Sequence, residues 1–162
     1  MSTDKLTLRP FLPEDQDRIL EILTDRTVKQ TYMLPDFEQK EEAIPLFQRL
    51  MELSMSQNRY VRCIYLENTP IGFINDVEIK DGSIELGYVI HPDSQGRGHM
   101  TKALSAAITE LKSKGYQHII CGAFESNIAS IRVMEKCGMT KLAHIDTIEY
   151  RGRIRRCIYY AT

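Results

Sequence analysis

Gly96 and Gly98 stand directly before the most regular amphipathic helix pattern in the chain, behind a strand pattern that closes on His91-Pro92. Glycines at that place leave the first backbone N–H groups of the helix open to a ligand. Those amides lack an intrahelical acceptor, and the helix dipole puts its positive end there. The chemistry that fits is anion binding, with a pyrophosphate as the matching guest. The plainer reading of the same glycines is a turn that requires positive φ. Two familiar phosphate motifs are excluded. Gly-x-x-x-x-Gly-Lys-Ser/Thr is absent, and the turn follows a late run of strands instead of opening a first β-α-β unit.

Other reactive side chains are scattered. Cys63, Cys121, Cys137 and Cys157 occur singly, with no Cys-x-x-Cys pair and no histidine at ligand spacing, so they read as core fillers in a reducing compartment and no metal site is expected. His91, His99, His118 and His144 are equally dispersed and read as surface or hydrogen-bonded, half-buried side chains. Asn127 sits where a helix N-cap is wanted.

The elements that must position these residues follow from periodicity. The 162 residues match one domain, 1–162, and 43% apolar content suffices for its core. Twenty-one basic against 22 acidic residues, net charge −1, leave no broad positive field for nucleic acid. No run approaches a membrane span, and Met1 to Pro10 holds no apolar stretch, so a cytoplasmic, unexported protein with no membrane partner is expected.

Lys5 to Arg9 alternates as a strand, and Pro13-Glu14-Asp15 opens a helix carrying Ile19, Leu20, Ile22 and Leu23. A second helical region spans about Thr27 to Gln57, broken by Pro35 and Pro45. Arg59 to Glu67, Pro70 to Lys80 and Ser83 to His91 read as an antiparallel meander, with Glu85 pointing away from Leu86. Met100, Ala103, Leu104, Ala107, Ile108 and Leu111 then form a helical stripe that ends at Gly115. Gln117 to Phe124 is a buried strand, Asn127 to Cys137 a helix, and Met139 to Tyr150 with Arg153 to Tyr160 a hairpin about Arg151-Gly152. The order is β-α-α-β-β-β-α-β-α-β-β, a mixed α/β pattern with one helical crossover.

At this point the residues resemble a family. Val89-Ile90-His91-Pro92-Asp93-Ser94-Gln95-Gly96-Arg97-Gly98-His99-Met100 is similar to the acyl-CoA signature Gln/Arg-x-x-Gly-x-Gly/Ala of the GNAT superfamily of N-acetyltransferases. Asn127-Ile128-Ala129-Ser130 with Glu135-Lys136-Cys137-Gly138-Met139 resembles the Asn-x-x-Ser…Glu-Lys-x-Gly-Phe segment of its ribosomal-protein N-terminal (RimJ/RimL-like) branch. Leu8-Arg9-Pro10 with Glu14-Asp15 resembles that branch's opening, so the likeness runs from about residue 5 to 160.

The resemblance implies an α/β fold with a mixed, mostly antiparallel twisted sheet, a splayed central parallel strand pair and helices on both faces. It implies acetyl-CoA as cosubstrate and no metal. The main chain of Val89 and Ile90 would pair with the pantetheine arm, and the backbone N–H groups of Gln95, Gly96, Arg97, Gly98, His99, Met100 and Thr101 would hold the pyrophosphate. Met100 departs from the usual Gly/Ala, but an N–H donor survives any side chain. Asn127 would contact the pantetheine or acetyl region while capping its helix. Ser130 would sit near the sulfur; the alternative is an ordinary first-turn serine.

An amine attacks a thioester only as the free base. A lysine side chain is neutral in roughly 1 part in 2000 at pH 7 and an α-amine in about a tenth, so a general base matters more for the former. Glu85 is the candidate, with a strand carboxylate that merely faces water or a cation as the alternative. Some relatives carry a base five residues before the motif asparagine; that position is Gly122 here, and Glu125 is a weaker substitute. The tyrosine that protonates the leaving sulfur in many relatives is replaced by Met134. Ser130 or a water would then serve.

Two stretches bear on the acceptor. Asp36, Glu38, Glu41 and Glu42 suit a cationic substrate or a solvated helix face; Arg151, Arg153, Arg155 and Arg156 suit an acidic one or coat the sheet. The expected function is acetyl transfer to a primary amine, a peptide N-terminus or a small molecule, by direct attack in a ternary complex. The rival is a catalytically silent acyl-CoA-binding module that regulates a partner. An exposed terminal strand near Arg155 to Tyr160 offers an edge for a homodimer.

Overall fold

The alternating run at the start of the chain becomes β1 (Leu6–Arg9), antiparallel to β2 (Val61–Leu66) with Leu8 opposite Ile64. The computed structural model describes residues 5–162; residues 1–4, which open the segment read as free of an export signal, lie outside them. A 3-10 turn at Pro13–Asp15 leads into α1 (Gln16–Leu23), followed by α2 (Arg26–Thr31) and α3 (Ile44–Ser54). The second helical region thus divides around an irregular segment containing Pro35. Pro45 does not break a helix as expected: it occupies the first turn of α3, where its missing N–H has no intrahelical role.

The remaining elements are β3 (Thr69–Lys80), β4 (Ser83–Ile90), α4 (His99–Ser113), β5 (His118–Phe124), α5 (Ile128–Lys136), β6 (Thr140–Tyr150) and β7 (Arg153–Ala161). Among the described residues seven strands form one sheet in the order β1-β2-β3-β4-β5-β7-β6. It is mostly antiparallel, and β4 with β5 is the parallel pair, Ser83 opposite His118 through Leu86 opposite Cys121. The helix between them, α4, is the crossover a parallel pair requires. One expectation is overturned. β7 is not an exposed edge: Ile120 to Phe124 pair with Cys157 to Ala161 on one side and β6 flanks it on the other. No helix among the described residues is long and apolar enough to cross a membrane.

The chain falls into two compact units: one runs to Asn75 and resumes at Tyr88–Ala103, and the other is Asp76–Gly87 with Leu104–Thr162. In the first, the apolar sides of α1 to α3 (Ile19, Leu20, Ile22, Leu23, Val28, Phe47, Leu50) close over Val61, Cys63, Tyr65, Phe73 and Val89. Phe11 meets Phe47 edge-on and Phe73 at a tilt, with ring centroids 5.9 and 6.0 Å away. The Tyr65 hydroxyl ties β2 to the 3-10 turn by donating to the buried Asp15 carboxylate.

Gly72 lets β3 lie close against β4, since a Cβ added there would collide with the Val89 carbonyl oxygen. Gly72→Ala is expected to destabilise the fold by about 3 kcal/mol, read from urea unfolding, because backbone cannot step aside as a flexible side chain can. A change under about 0.5 kcal/mol would show that the strands part freely there.

In the second unit one sheet face is apolar and buried. Ile84 and Leu86 of β4, Ile119, Cys121 and Ala123 of β5, and Ile158 and Tyr160 of β7 share it by register. Leu104, Ala107, Ile108 and Leu111 of α4 and Met134 of α5 are buried with them. The opposite face carries Glu85, Gly122, Asp146 and Tyr159, all half-buried. Period-two alternation thus separates the core from a second, mixed face on which Ile120, Phe124 and Cys157 stand beside these polar groups.

Candidate functional site

The glycine turn lies in the first unit and is braced by its own residues together with Arg18 and Glu21 of α1. Pro92–Ser94 form a 3-10 turn capped by the His91 side chain: Nδ1 accepts from the Asp93 N–H at 3.1 Å. That bond assigns the ring proton to Nε2, which donates to Glu21 Oε2 at 2.8 Å. The hydrogen bond from His91 is the main reason the Glu21 carboxyl is held below its usual range. Arg18 joins the same group, 3.4 Å from Glu21 and 3.8 Å from Asp93, and donates from Nε to the Pro70 carbonyl. His91 is therefore a buried brace between α1 and the turn, more than the half-buried side chain its spacing suggested.

Gln95 closes this brace. Its N–H donates to the Pro92 carbonyl at 3.3 Å and its side-chain amide to the Ile90 carbonyl at 3.3 Å. The Gln95 N–H, expected among the pyrophosphate donors, is thus taken within the turn. Gly96 and Gly98 take φ of +75° and +80°, and α4 starts at His99 with its first intrahelical bond from Lys102 N–H to the Gly98 carbonyl at 3.2 Å. The amides of His99 and Met100 precede that bond, as in any helix start. A Cβ at either glycine would meet nothing within 4 Å, so the backbone is approachable from outside. Met100 and His99 are buried at the head of α4, Arg97 is exposed, and Val89 is packed in the core.

The second unit holds the other sequence-derived residues. Asn127 is the N-cap of α5: its Oδ1 accepts the Ser130 N–H at 3.2 Å and its carbonyl the Ile131 N–H at 3.1 Å. Ser130 is thereby fixed in the first turn, half-buried. Asn127→Ala is expected to cost about 1 kcal/mol of stability and Asn127→Asp much less, because aspartate keeps the accepting oxygen. Equal melting temperatures for all three proteins would show that the cap is dispensable.

Glu85 is opposite Ile120 in the parallel ladder, on the mixed face. Burial foremost, then the charges of Glu78 and Asp146, push its carboxyl above the ordinary range. A carboxylate surrounded this way binds a proton more readily than a solvated one, which is the property a general base for an amine needs. Glu125, the weaker substitute, is taken by an ion pair with Arg156 Nε at 3.2 Å. Met134 is fully buried.

Neither charged stretch presents itself whole. Lys29 Nζ is 3.5 Å from Asp36, and the Glu42 carboxylate accepts the Glu38 N–H at 3.0 Å. Arg155 donates to Ser126 Oγ at 3.2 Å and lies 4.4 Å over the Phe124 ring. Cys63, Cys121 and Cys157 are buried as expected and Cys137 partly so. Burial raises all four thiols, which makes them poor nucleophiles. Among the described residues no three His, Cys, Asp or Glu are grouped to hold a metal.

Sequence reasoning missed Tyr159, Asp146 and His144. The Tyr159 hydroxyl donates to Asp146 Oδ2 at 2.6 Å, and His144 Nε2 is 2.8 Å from Asp146 Oδ1. The pairing of β6 with β7 shifts register between Lys141 and Ile145, and no periodicity in the sequence announces such a shift.

Comparison with known proteins bears on the family and the fold. The acetyltransferase (GNAT) domain family matches residues 5–140. The uncharacterized N-acetyltransferase YoaA of Bacillus subtilis (strain 168) is 26% identical over 147 residues, 87% of this chain and 82% of its own. The structure of RimL, the ribosomal L7/L12 alpha-N-protein acetyltransferase in complex with coenzyme A, superposes with a TM-score of 0.86 at 21% identity over 99% of this chain and 94% of that one. The spermidine N-acetyltransferase of Vibrio cholerae, in complex with CoA and spermine, gives 0.80 at 18% over 97% and 94%. With its strand order, its crossover helix and its match to the family over most of its length, the chain belongs to the GNAT family and is an N-acetyltransferase.

Proposed function

We propose that the protein moves the acetyl group of acetyl-CoA to a primary amine, a peptide N-terminus or a small-molecule amine, by direct attack without a covalent enzyme intermediate. Glu85 carries the reading: a half-buried strand carboxylate whose charged neighbours are both negative, and whose affinity for a proton is raised. The relatives named above act on a protein N-terminus and on spermidine, and both acceptors are amines.

The residues present suit the cosubstrate. In the first unit the amides from Gly96 to Thr101 hold the pyrophosphate, with Gly96 and Gly98 leaving its oxygens room to approach, and the main chain of Val89 and Ile90 guides the pantetheine arm. In the second unit Asn127 and Ser130 serve the acyl end. Acetyl-CoA supplies the thioester carbonyl. Glu85 takes one proton from the amine, which frees the nitrogen lone pair for attack, and Ser130 or a water returns a proton to the departing sulfur.

Thiol release from acetyl-CoA, followed with a panel of peptides, polyamines and amino acids, tests the proposal. Release that depends on at least one amine is the expected outcome. Silence across the panel, alongside measurable CoA binding, would contradict it and favour a regulatory acyl-CoA-binding module.

A further inference from the structure

The mixed face of the second unit carries a hydrogen-bonded chain that the mechanism above leaves unused. Asp146 is held at both oxygens, by His144 Nε2 at 2.8 Å and by the Tyr159 hydroxyl at 2.6 Å. The His144 and Tyr159 rings lie against each other, 5.5 Å between centroids at 31°. The phenol ring covers Gly122: a Cβ there would stand 2.7 Å from Cε1 and 3.0 Å from Cδ1, so only glycine admits the ring in this seat. Register places Tyr159 opposite Gly122 and Glu85 opposite Ile120. Tyr159 and Glu85 therefore rise from the same face, two residues apart along β5, which is about 7 Å of strand.

A phenol has one hydrogen to donate and two lone pairs: Tyr159 gives the hydrogen to Asp146, the Cys157 thiol is hydrogen-bonded to the same oxygen, and the second lone pair is the one a ligand would meet. Burial foremost, then the Asp146 hydrogen bond, pushes the Tyr159 hydroxyl far above neutrality, and it stays protonated. The same hydrogen bond is the leading reason that the Asp146 carboxyl is held below its usual range. A nitrogen nucleophile needs such an acceptor. One of its protons leaves to the base, and a second N–H must be held if the lone pair is to point at the carbonyl.

We propose that Tyr159 is a positioning residue for the acceptor amine: its oxygen, aimed by Asp146 and backed by His144, accepts one N–H of the nitrogen whose other proton passes to Glu85. The inference rests on the acetyl-transfer reading. The nitrogen loses one proton to the Glu85 carboxylate and gains a bond to the acyl carbon as the thioester carbon–sulfur bond breaks; the sulfur leaves as the CoA thiol with a net gain of that one proton, while Tyr159 keeps its hydrogen throughout.

The test uses the amine most active in the thiol-release panel. Tyr159→Phe is expected to raise the KM for that amine about tenfold, with the KM for acetyl-CoA and the melting temperature unchanged. Gly122→Ala, which must push the ring from its seat, is expected to give the same KM change, and the double variant to be no worse than either single one. Asp146→Ala follows Tyr159→Phe, whereas Asp146→Asn keeps an oxygen for the hydroxyl and recovers most of the affinity. An acceptor KM in Tyr159→Phe within about twofold of the wild-type value, or additive losses in the double variant, overturns the assignment. Failure of the wild-type protein to turn over any amine refutes the acetyl-transfer reading and this inference with it, and is seen before any variant is made.

Discussion

Glu85→Gln is expected to lower kcat about a hundredfold to ten-thousandfold, the span a general base contributes, while CoA affinity stays near that of the wild-type protein. Glutamine keeps the volume and loses the proton acceptor. The pH dependence carries more information than the rate. Burial, Glu78 and Asp146 raise the Glu85 pKa in the folded protein, so the carboxylate is available only above that raised value, and activity falls as pH drops through it. The acid limb of kcat/KM should therefore lie above the ordinary carboxylate range and vanish in Glu85→Gln. Stability should move the opposite way. Between the unfolded and the folded pKa the native state binds the extra proton, so ionisation of Glu85 destabilises the fold as pH rises. Glu85→Gln should consequently melt no lower than the wild-type protein at neutral pH. An unaltered pH–rate profile would clear Glu85 of the role, and a marked fall in melting temperature would mark it as structural.

Gly98→Trp is expected to abolish CoA binding in calorimetry, whereas Gly98→Ala should weaken it and lower stability by about 1 kcal/mol. The two variants separate two roles of one position. At φ +80° any side chain strains the backbone, which is what alanine reports. A Cβ there meets open space, so alanine adds no clash, and only the indole fills the region from which a phosphate would approach the amides at the head of α4. Unchanged affinity in Gly98→Trp would remove the turn from the site. Equal losses in both variants would assign the effect to conformation alone.

Local chemistry explains what the sequence made legible. The stripe from Met100 to Leu111 is buried as its spacing demands, Asn127 caps the helix it precedes, and Arg151-Gly152 forms the turn of the last hairpin. Each depends on residues within a turn or two of one another. Pro45 was misread because a proline interrupts a helix interior yet suits a helix start, and the boundary of α3 decides which applies. The place of β7 inside the sheet, between β5 and the strand that follows α5, is a matter of long-range pairing that alternation does not encode. The same holds for the Tyr159–Asp146 bond, which depends on the register shift in β6, and for His91, whose partner Glu21 is 70 residues away. Glu85 was singled out from its place in a strand; burial is the first cause of its raised proton affinity, and the two carboxylates that add to it, Glu78 and Asp146, lie on other strands.

The central claim is that backbone amides at the head of α4 grip the diphosphate of acetyl-CoA. The most direct measurement is a crystal structure of the protein with CoA. Pyrophosphate oxygens are expected within hydrogen-bonding distance, about 3 Å, of main-chain nitrogens between Gly96 and Thr101. A diphosphate bound elsewhere, with those nitrogens facing only water, would contradict it.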